Sequence, residues 1–371
     1  MTKAHALFPE IDREETSLLD FAVSFKERLS GPVTERLKES CRAMSKADGL
    51  DFESEDRREW RKAADYFDAR PDVKFWGALK RAHQDFYVNV TACAVDRQLP
   101  SLVDAYRQLA GGDVRGSLEL APDIDMPAYL STVDIHCVPG GYGLERCDDD
   151  VYPGARSDLG GAVFAMRRHG ALHDDKGVTG ARVVKERFAS FSPKAILDLG
   201  CTGGNSTLPY VDAFPDAEVY AIDVAAPCLR YAHGRAESLG KRVHFSQQNA
   251  EHTRFESGKF DLIVSHILLH EVSVDALANI FREAYRLLAP GGVMAHVEVP
   301  TIGDNAFSQY LNNWDALHNN EPFWATLGEA DLPGFAVEAG FAAEDVFSAV
   351  VPSSNKKRGG WLVFGARKQE A

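Results

Sequence analysis

Apolar positions recur at two spacings along the chain, and the change from one to the other divides it. In SLLDFAVSFKERL, Leu18, Leu19, Ala22, Phe25 and Leu29 fall at helical intervals, and Pro32 then marks a break. From residue 57 to about 97 the period is nearer 3.6 than 2, which predicts a pair of helices. Pro71 opens the second of them, at a position that tolerates its missing donor. A third helix is predicted over residues 101–109, stopped by Gly111 and Gly112. Residues 1–112 therefore read as a helical accessory or dimerisation domain. Between 113 and 177 Pro122, Pro127, Pro139, Gly140, Gly141, Gly143, Pro153 and Gly154 interrupt any period, while STVDIHCV predicts a short strand. That stretch reads as a connector able to cover a substrate.

After Val178, strand and helix alternate. KAILDLG, EVYAID, VHFSQQ, FDLIVSH and VMAHVEV predict five strands, with helices over STLPYVDAF, LRYAHGRAESLG and ALANIFREAYRLLAPGG between them. A helix around FAVEAGF and the segments AEDVFSAVV and GWLVFGARK complete the set. The alternation predicts an α/β domain over 178–371, its sheet mostly parallel and covered by helices, with an antiparallel finish. Residues 300–334 form an insertion after the fifth strand.

Composition narrows the function without choosing it. The chain has 371 residues, 45% of them hydrophobic, enough for a substantial core. Lys and Arg total 41 against 55 Asp and Glu, a formal charge of -14, which argues against tracking a nucleic-acid backbone. No window reaches the ~18 apolar residues of a membrane span, and the start has no apolar signal core. Six cysteines lie far apart without CxxC spacing, so a reduced, cytoplasmic setting is expected.

The chemistry concentrates at strand exits. In ILDLGCTGGNST, Gly200 and Gly204 permit a tight turn and close backbone approach, and Asp198 stands at the strand end. No GK[ST] ending follows, which excludes a P-loop. Asp223 ends the next strand, placed to accept from two ribose hydroxyls, and Asn249 ends the third, with an amide able to read an adenine edge.

In order, DLGCTGGN, YAID, QQNAEHTRF, FDLIVSHILLHEV and LLAPGGVMAHVEV resemble the class I S-adenosylmethionine-dependent methyltransferases, small-molecule branch, over roughly residues 185–368. The resemblance implies a Rossmann-like, seven-stranded sheet with one reversed edge strand, preceded here by an N-terminal helical extension. It implies S-adenosylmethionine as donor and S-adenosylhomocysteine as product. On that carry-over Asp198, Gly200, Cys201, Thr202 and Gly204 lie beside the methionyl part, and Asp223 with Val224 at the ribose. Asn249 and Ala250 border adenine, and Ser265 and His266 lie near the reactive end. Thr202 stands where the family commonly has glycine, and Asn249 where it commonly has an acid.

His266, His270 and Glu271 leave the fourth strand on the side where open α/β sheets bind ligands. Either histidine could take a proton from an acceptor, with Glu271 orienting a ring, and spacing does not choose between them. In the insertion, Tyr310, Trp314, His318 and Trp324 are candidates for holding the acceptor, with Phe323 and Glu321 beside them. No metal is predicted: HILLHE lacks HExxH spacing, and His136, His169 and His173 are loosely spaced without a fixed carboxylate partner.

The leading expectation is in-line methyl transfer to a small molecule, with oxygen the favoured acceptor and carbon or nitrogen the rivals. A NAD-dependent oxidoreductase and a non-catalytic nucleotide-binding assembly protein are the competing classes. Neither a nucleic acid nor a membrane is expected as partner, and a homodimer through the N-terminal helices is.

Overall fold

The computed structural model describes residues 4–50, 57–303, 305–355 and 359–370. One sheet organises it. Its strands are β1 (Ser117–Glu119), β2 (Ala195–Leu199), β3 (Glu218–Asp223), β4 (His244–Gln247), β5 (Phe260–His266), β6 (Leu288–Glu298), β7 (Val346–Pro352) and β8 (Gly360–Arg367). They lie in the order β1-β4-β3-β2-β5-β6-β8-β7. Neighbours from β1 through β6 are parallel, and β8 is antiparallel to both β6 and β7.

The central strands are apolar because helices cover both of their faces. Ile196, Leu197 and Leu199 of β2 and Leu262, Ile263 and Val264 of β5 are fully buried. Strand order reverses beside β2, whose neighbours are β3 and β5, so a crevice opens beyond the carboxyl ends of these strands.

Three details depart from the sequence expectations. The reversed strand is not at the edge. It is β8, held between β6 and β7, with Trp361, Val363 and Phe364 buried on its two faces. The sheet also gains an eighth strand, β1, from the connector: Ser117–Glu119 pairs with residues 244–246 of β4. Three residues are too short to show a period. Finally, STVDIHCV is not a strand. Its centre is a 3₁₀ turn, Ile135–Cys137, in which His136 and Cys137 take positive φ (57° and 59°). A left-handed pair cannot continue an extended run.

The N-terminal helices form where expected. Arg13–Arg28 starts at a capping box in which Asp12 accepts from the Glu15 amide and Glu15 accepts from the Asp12 amide. Pro71 begins Pro71–Asp96, and Gly111 caps Leu99–Ala110. Two shared cores bind these helices to the sheet domain. Leu37, Cys41, Phe67, Val73 and Trp76 pack with Phe307, Tyr310 and Trp314 of the insertion helix Ala306–His318. Leu19, Ala22, Tyr87 and Val88 pack with Tyr152 and Leu159 of the connector helix Tyr152–Phe164 and with Tyr231 of Ala226–Ser238. No helix of the described residues is long and apolar enough to cross a membrane.

Candidate functional site

A cavity of about 540 Å³ lies beyond the tips of β2, β3, β4 and β5, roofed by the connector. One wall is the glycine loop. Gly200 sits at φ +68°, and a Cβ added there would come within 2.7 Å of Leu268 Cδ1. The left-handed backbone is what calls for glycine, since the leucine tip can shift. Thr202, also at positive φ (46°), donates its amide to Asp223 Oδ2 at 2.9 Å, while the Ala225 amide donates to Oδ1 at 2.9 Å. Burial pushes the Asp223 carboxyl up, and these backbone donors work against that rise. These donors do not exhaust the roughly four acceptor sites of the carboxylate, which keeps capacity for a ligand.

Beneath the loop, Asp198 accepts from Thr207 Oγ1 at 2.5 Å and lies 3.2 Å from His266 Nδ1. The other ring nitrogen of His266 is 3.1 Å from the buried Tyr210 hydroxyl. Asp198, Gly200, Cys201, Thr202, Asp223, Val224, Asn249, Ala250 and His266 all reach the cavity, joined by Gln248, which the sequence reading passed over. Two expected residues do not line it. Gly204 allows the loop to close on Ala232, whose Cβ would stand 3.2 Å from an added Cβ. Ser265 bonds His296 Nδ1 at 2.6 Å in the interior of the sheet.

The opposite wall comes from the connector and the exit of β5. Met126, Tyr129, Leu130, Val133 and Leu144 supply apolar surface. Among them stands a polar cluster. His136 Nε2 lies 3.0 Å from Glu271 Oε1, and its Nδ1 lies 2.6 Å from Glu321 Oε1. The Tyr142 hydroxyl is 3.0 Å from His136 Nε2 and donates to Glu271 Oε1 at 3.3 Å. Burial disfavours a charged His136, but the two carboxylates outweigh it and raise its pKa well above the usual histidine value. Burial likewise raises Glu321, whereas the facing imidazole brings Glu271 below its ordinary range against the effect of burial.

His270 stands behind this wall. Its Nδ1 is 2.7 Å from Glu298 Oε1, and its ring packs 4.8 Å from that of Trp324. Burial opposes its charge, yet Glu298 chiefly, with Glu271 and Glu321, brings its pKa up to about 9. Of the three candidate catalytic side chains, Glu271 and His266 face the cavity and His270 does not.

The aromatics of the insertion lie elsewhere, which corrects the expectation that they hold the acceptor. Tyr310 donates to Asp68 at 2.6 Å, Trp314 packs against Trp76, and His318 stacks on Trp314. None of these, nor Trp324, is on the cavity wall. Tyr310 and Trp314 pack in the core that seats the N-terminal helices, and Trp324 packs on His270. His136 has the carboxylate partners that sequence spacing could not reveal, because Glu271 and Glu321 follow it by 135 and 185 residues.

Below the glycine loop, the fully buried Asp158 collects five donors. His173 Nδ1 (2.7 Å) and Asn205 Nδ2 (2.8 Å) reach Oδ1. The Tyr231 hydroxyl (2.8 Å), His5 Nε2 (3.0 Å) and Arg235 Nη1 reach Oδ2. This knot ties the N-terminal segment and the connector helix to Asn205 of the cavity wall.

A family model described as a methyltransferase domain matches residues 196–292. The chain is 30% identical to an uncharacterized methyltransferase of Synechocystis sp., over 42% of this chain and 70% of that protein. It is 34% identical to the demethylmenaquinone methyltransferase of Thermus thermophilus, over 31% of this chain and 52% of the relative. To the trans-aconitate 2-methyltransferase of Methylobacterium radiotolerans it is 30% identical, over 43% and 58%. The chain thus spans only a little over half of the latter two. Among solved structures, the CurJ carbon methyltransferase is 16% identical, with 59% of this chain and 60% of that one covered and a TM-score of 0.44.

Proposed function

This chain belongs to the class I S-adenosylmethionine-dependent methyltransferases, and on that premise we propose that it methylates an oxygen of a small molecule held against Glu271. When bound, S-adenosylmethionine supplies a methyl group on a sulfonium centre, already activated for in-line displacement. The residues present fit it. Gly200, Cys201 and Thr202 line the cavity, which places the loop against a bound donor. Asp223 retains acceptor capacity for ribose hydroxyls, and Asn249 and Ala250 border the cavity where an adenine would lie. Asp198, Cys201 and Thr202 would border the methionyl part.

The observation that carries the choice of oxygen is the placement of Glu271. It faces the cavity with one carboxylate oxygen occupied by His136 and Tyr142, and its Oε2 has no hydrogen-bond partner. On this reading the Glu271 carboxylate, on the cavity wall, takes the proton of a hydroxyl or phenol. Apolar groups of Met126, Leu130, Val133 and Leu144 would exclude water from the acceptor. Alignment of acceptor and donor supplies much of the remaining catalysis.

Transfer of a labelled methyl group to a panel of phenols and hydroxy acids, with the product read by NMR, tests this reading. A methoxy or methyl ester product supports it, and Glu271→Gln should then lower kcat by about 10²- to 10⁴-fold with donor affinity kept. A methyl found on carbon or nitrogen refutes it. Self-association through the N-terminal helices belongs to the same proposal, supported by the outward Phe21 and Phe75. A concentration-independent monomer in sedimentation would remove it.

A further inference from the structure

We propose that His136, His270, Glu271 and Glu321 form a binding site for one divalent transition-metal ion at the acceptor end of the cavity. The connector, the exit of β5 and the insertion each contribute to it. One ligand atom apiece from His136, Glu271 and Glu321 lies within 4.8 Å of the others. His270 adds a fourth: its Nε2 is 3.9 Å from Glu271 Oε1 and 4.0 Å from Glu321 Oε2. Those separations are too long for hydrogen bonds. They suit ligands of a shared ion, since atoms each ~2.0–2.2 Å from one metal stand roughly 3–4 Å apart; His136, whose ring nitrogens stand 3.0 and 2.6 Å from Glu271 and Glu321, would lose its proton and release one of these contacts to join them.

The surroundings of His270 support the assignment independently. Glu298 engages its Nδ1 at 2.7 Å, and is itself fixed by the amides of Leu269 and Val299 at 3.1 and 2.7 Å. A carboxylate behind one ring nitrogen sets the tautomer and presents the other nitrogen's lone pair, as in metal-ligating histidines. Glu321, only 6% exposed, has its Oε2 directed toward His270 with no hydrogen-bond donor, and Oε2 of Glu271 is unpartnered as well. An unsatisfied buried charged oxygen is costly, and a cation coordinated there would remove the cost. Two imidazoles and two carboxylates suit Zn²⁺, Mn²⁺ or Fe²⁺ better than the all-oxygen cations.

This deepens the oxygen-acceptor reading and rests on it for its purpose. His136 and Glu271 border the cavity, so an ion held by them would face the acceptor, coordinating its oxygen and fixing its orientation. Binding of the ion, however, is measured without any acceptor.

The full chain, stripped with a chelator and dialysed against Zn²⁺ or Mn²⁺, should retain one ion per chain by elemental analysis. Glu321→Gln and His270→Ala should each weaken retention by about tenfold or more, and Glu298→Gln by about tenfold to a hundredfold. His252→Ala, at an exposed histidine outside the cluster, should not. Co²⁺ in the wild-type protein gives a reading that no variant's folding can disturb: visible ligand-field bands of nitrogen–oxygen coordination are expected. Failure of the wild type to retain either metal, or equal retention in Glu321→Gln and His270→Ala, would leave an imidazolium held by two carboxylates and overturn the proposal. A carbon- or nitrogen-methylated product alongside one bound ion would refute the oxygen reading alone.

Discussion

His266 Nδ1 lies 3.2 Å from Asp198 Oδ1, linking the tip of β5 to the tip of β2 at the floor of the cavity. With Tyr210 at its other nitrogen, the ring has a partner on both sides and is poorly placed to take a proton from an acceptor. On the proposed placement of the donor, its role is to fix Asp198 beneath it. His266→Ala should weaken S-adenosylmethionine binding by about tenfold, the equivalent of one lost hydrogen bond of ~1.4 kcal/mol. Calorimetric titration gives that number. The pH profile of kcat should keep its shape; a flattened profile at unchanged donor affinity would return His266 to the role of base.

Asp223 joins two jobs that substitution can separate. Its carboxylate accepts the Thr202 and Ala225 amides and still offers acceptor sites to the cavity. Asp223→Ala should cost donor affinity about tenfold to a hundredfold, since hydrogen bonds to a charged group contribute ~1.5–3 kcal/mol. Asp223→Asn keeps one acceptor oxygen, so its loss should be smaller. Equal losses in the two would place the effect in the loop rather than in ligand recognition.

What the sequence made legible is what local rules decide. The fully buried runs of β2 and β5, the capping box at Asp12, Pro71 at a helix start and the glycine turn at Gly200 each follow from neighbouring residues. The wall of the cavity that the strand ends carry was readable for the same reason. The connector wall was not. His136 meets Glu271 and Glu321 only when the connector folds over the sheet, and a left-handed backbone at His136 has no signature in STVDIHCV. The insertion misled because aromatic faces at helical spacing serve a core and a pocket equally well. Trp314 chose Trp76.

Asp158 is the buried charge on which the connector and N-terminal segment depend. Burial would push its carboxyl up, but Arg235, His173 and His5 outweigh this and hold it well below the ordinary range. Asp158→Asn keeps the shape and removes the charge, leaving Arg235 buried without its counter-ion. A loss of about 3–5 kcal/mol in urea unfolding is expected. Because Asp158 also holds Asn205 on the cavity wall, donor affinity should fall in the same variant. A stability change below about 1 kcal/mol, the range of an exposed pair, would show that the knot is dispensable.

Acid should weaken the fold through His83. This side chain is 4% exposed in the helix Pro71–Asp96, with Nε2 placed 2.9 Å from the Ala22 carbonyl. Burial, assisted by the charge of Lys26, lowers its pKa from 6.5 to about 4. Between those values the unfolded chain binds a proton that the folded chain refuses, so stability rises with pH across that window. The contribution is fully present above about pH 6.5 and is lost progressively as pH falls toward 4, on the order of 2–3 kcal/mol at most. Urea unfolding at pH 4.5 and pH 7 measures it. His83→Gln, which does not titrate, should be less stable than the wild type at pH 7 and should lose less on going to pH 4.5. If both proteins lose the same amount, the acid sensitivity lies in other groups.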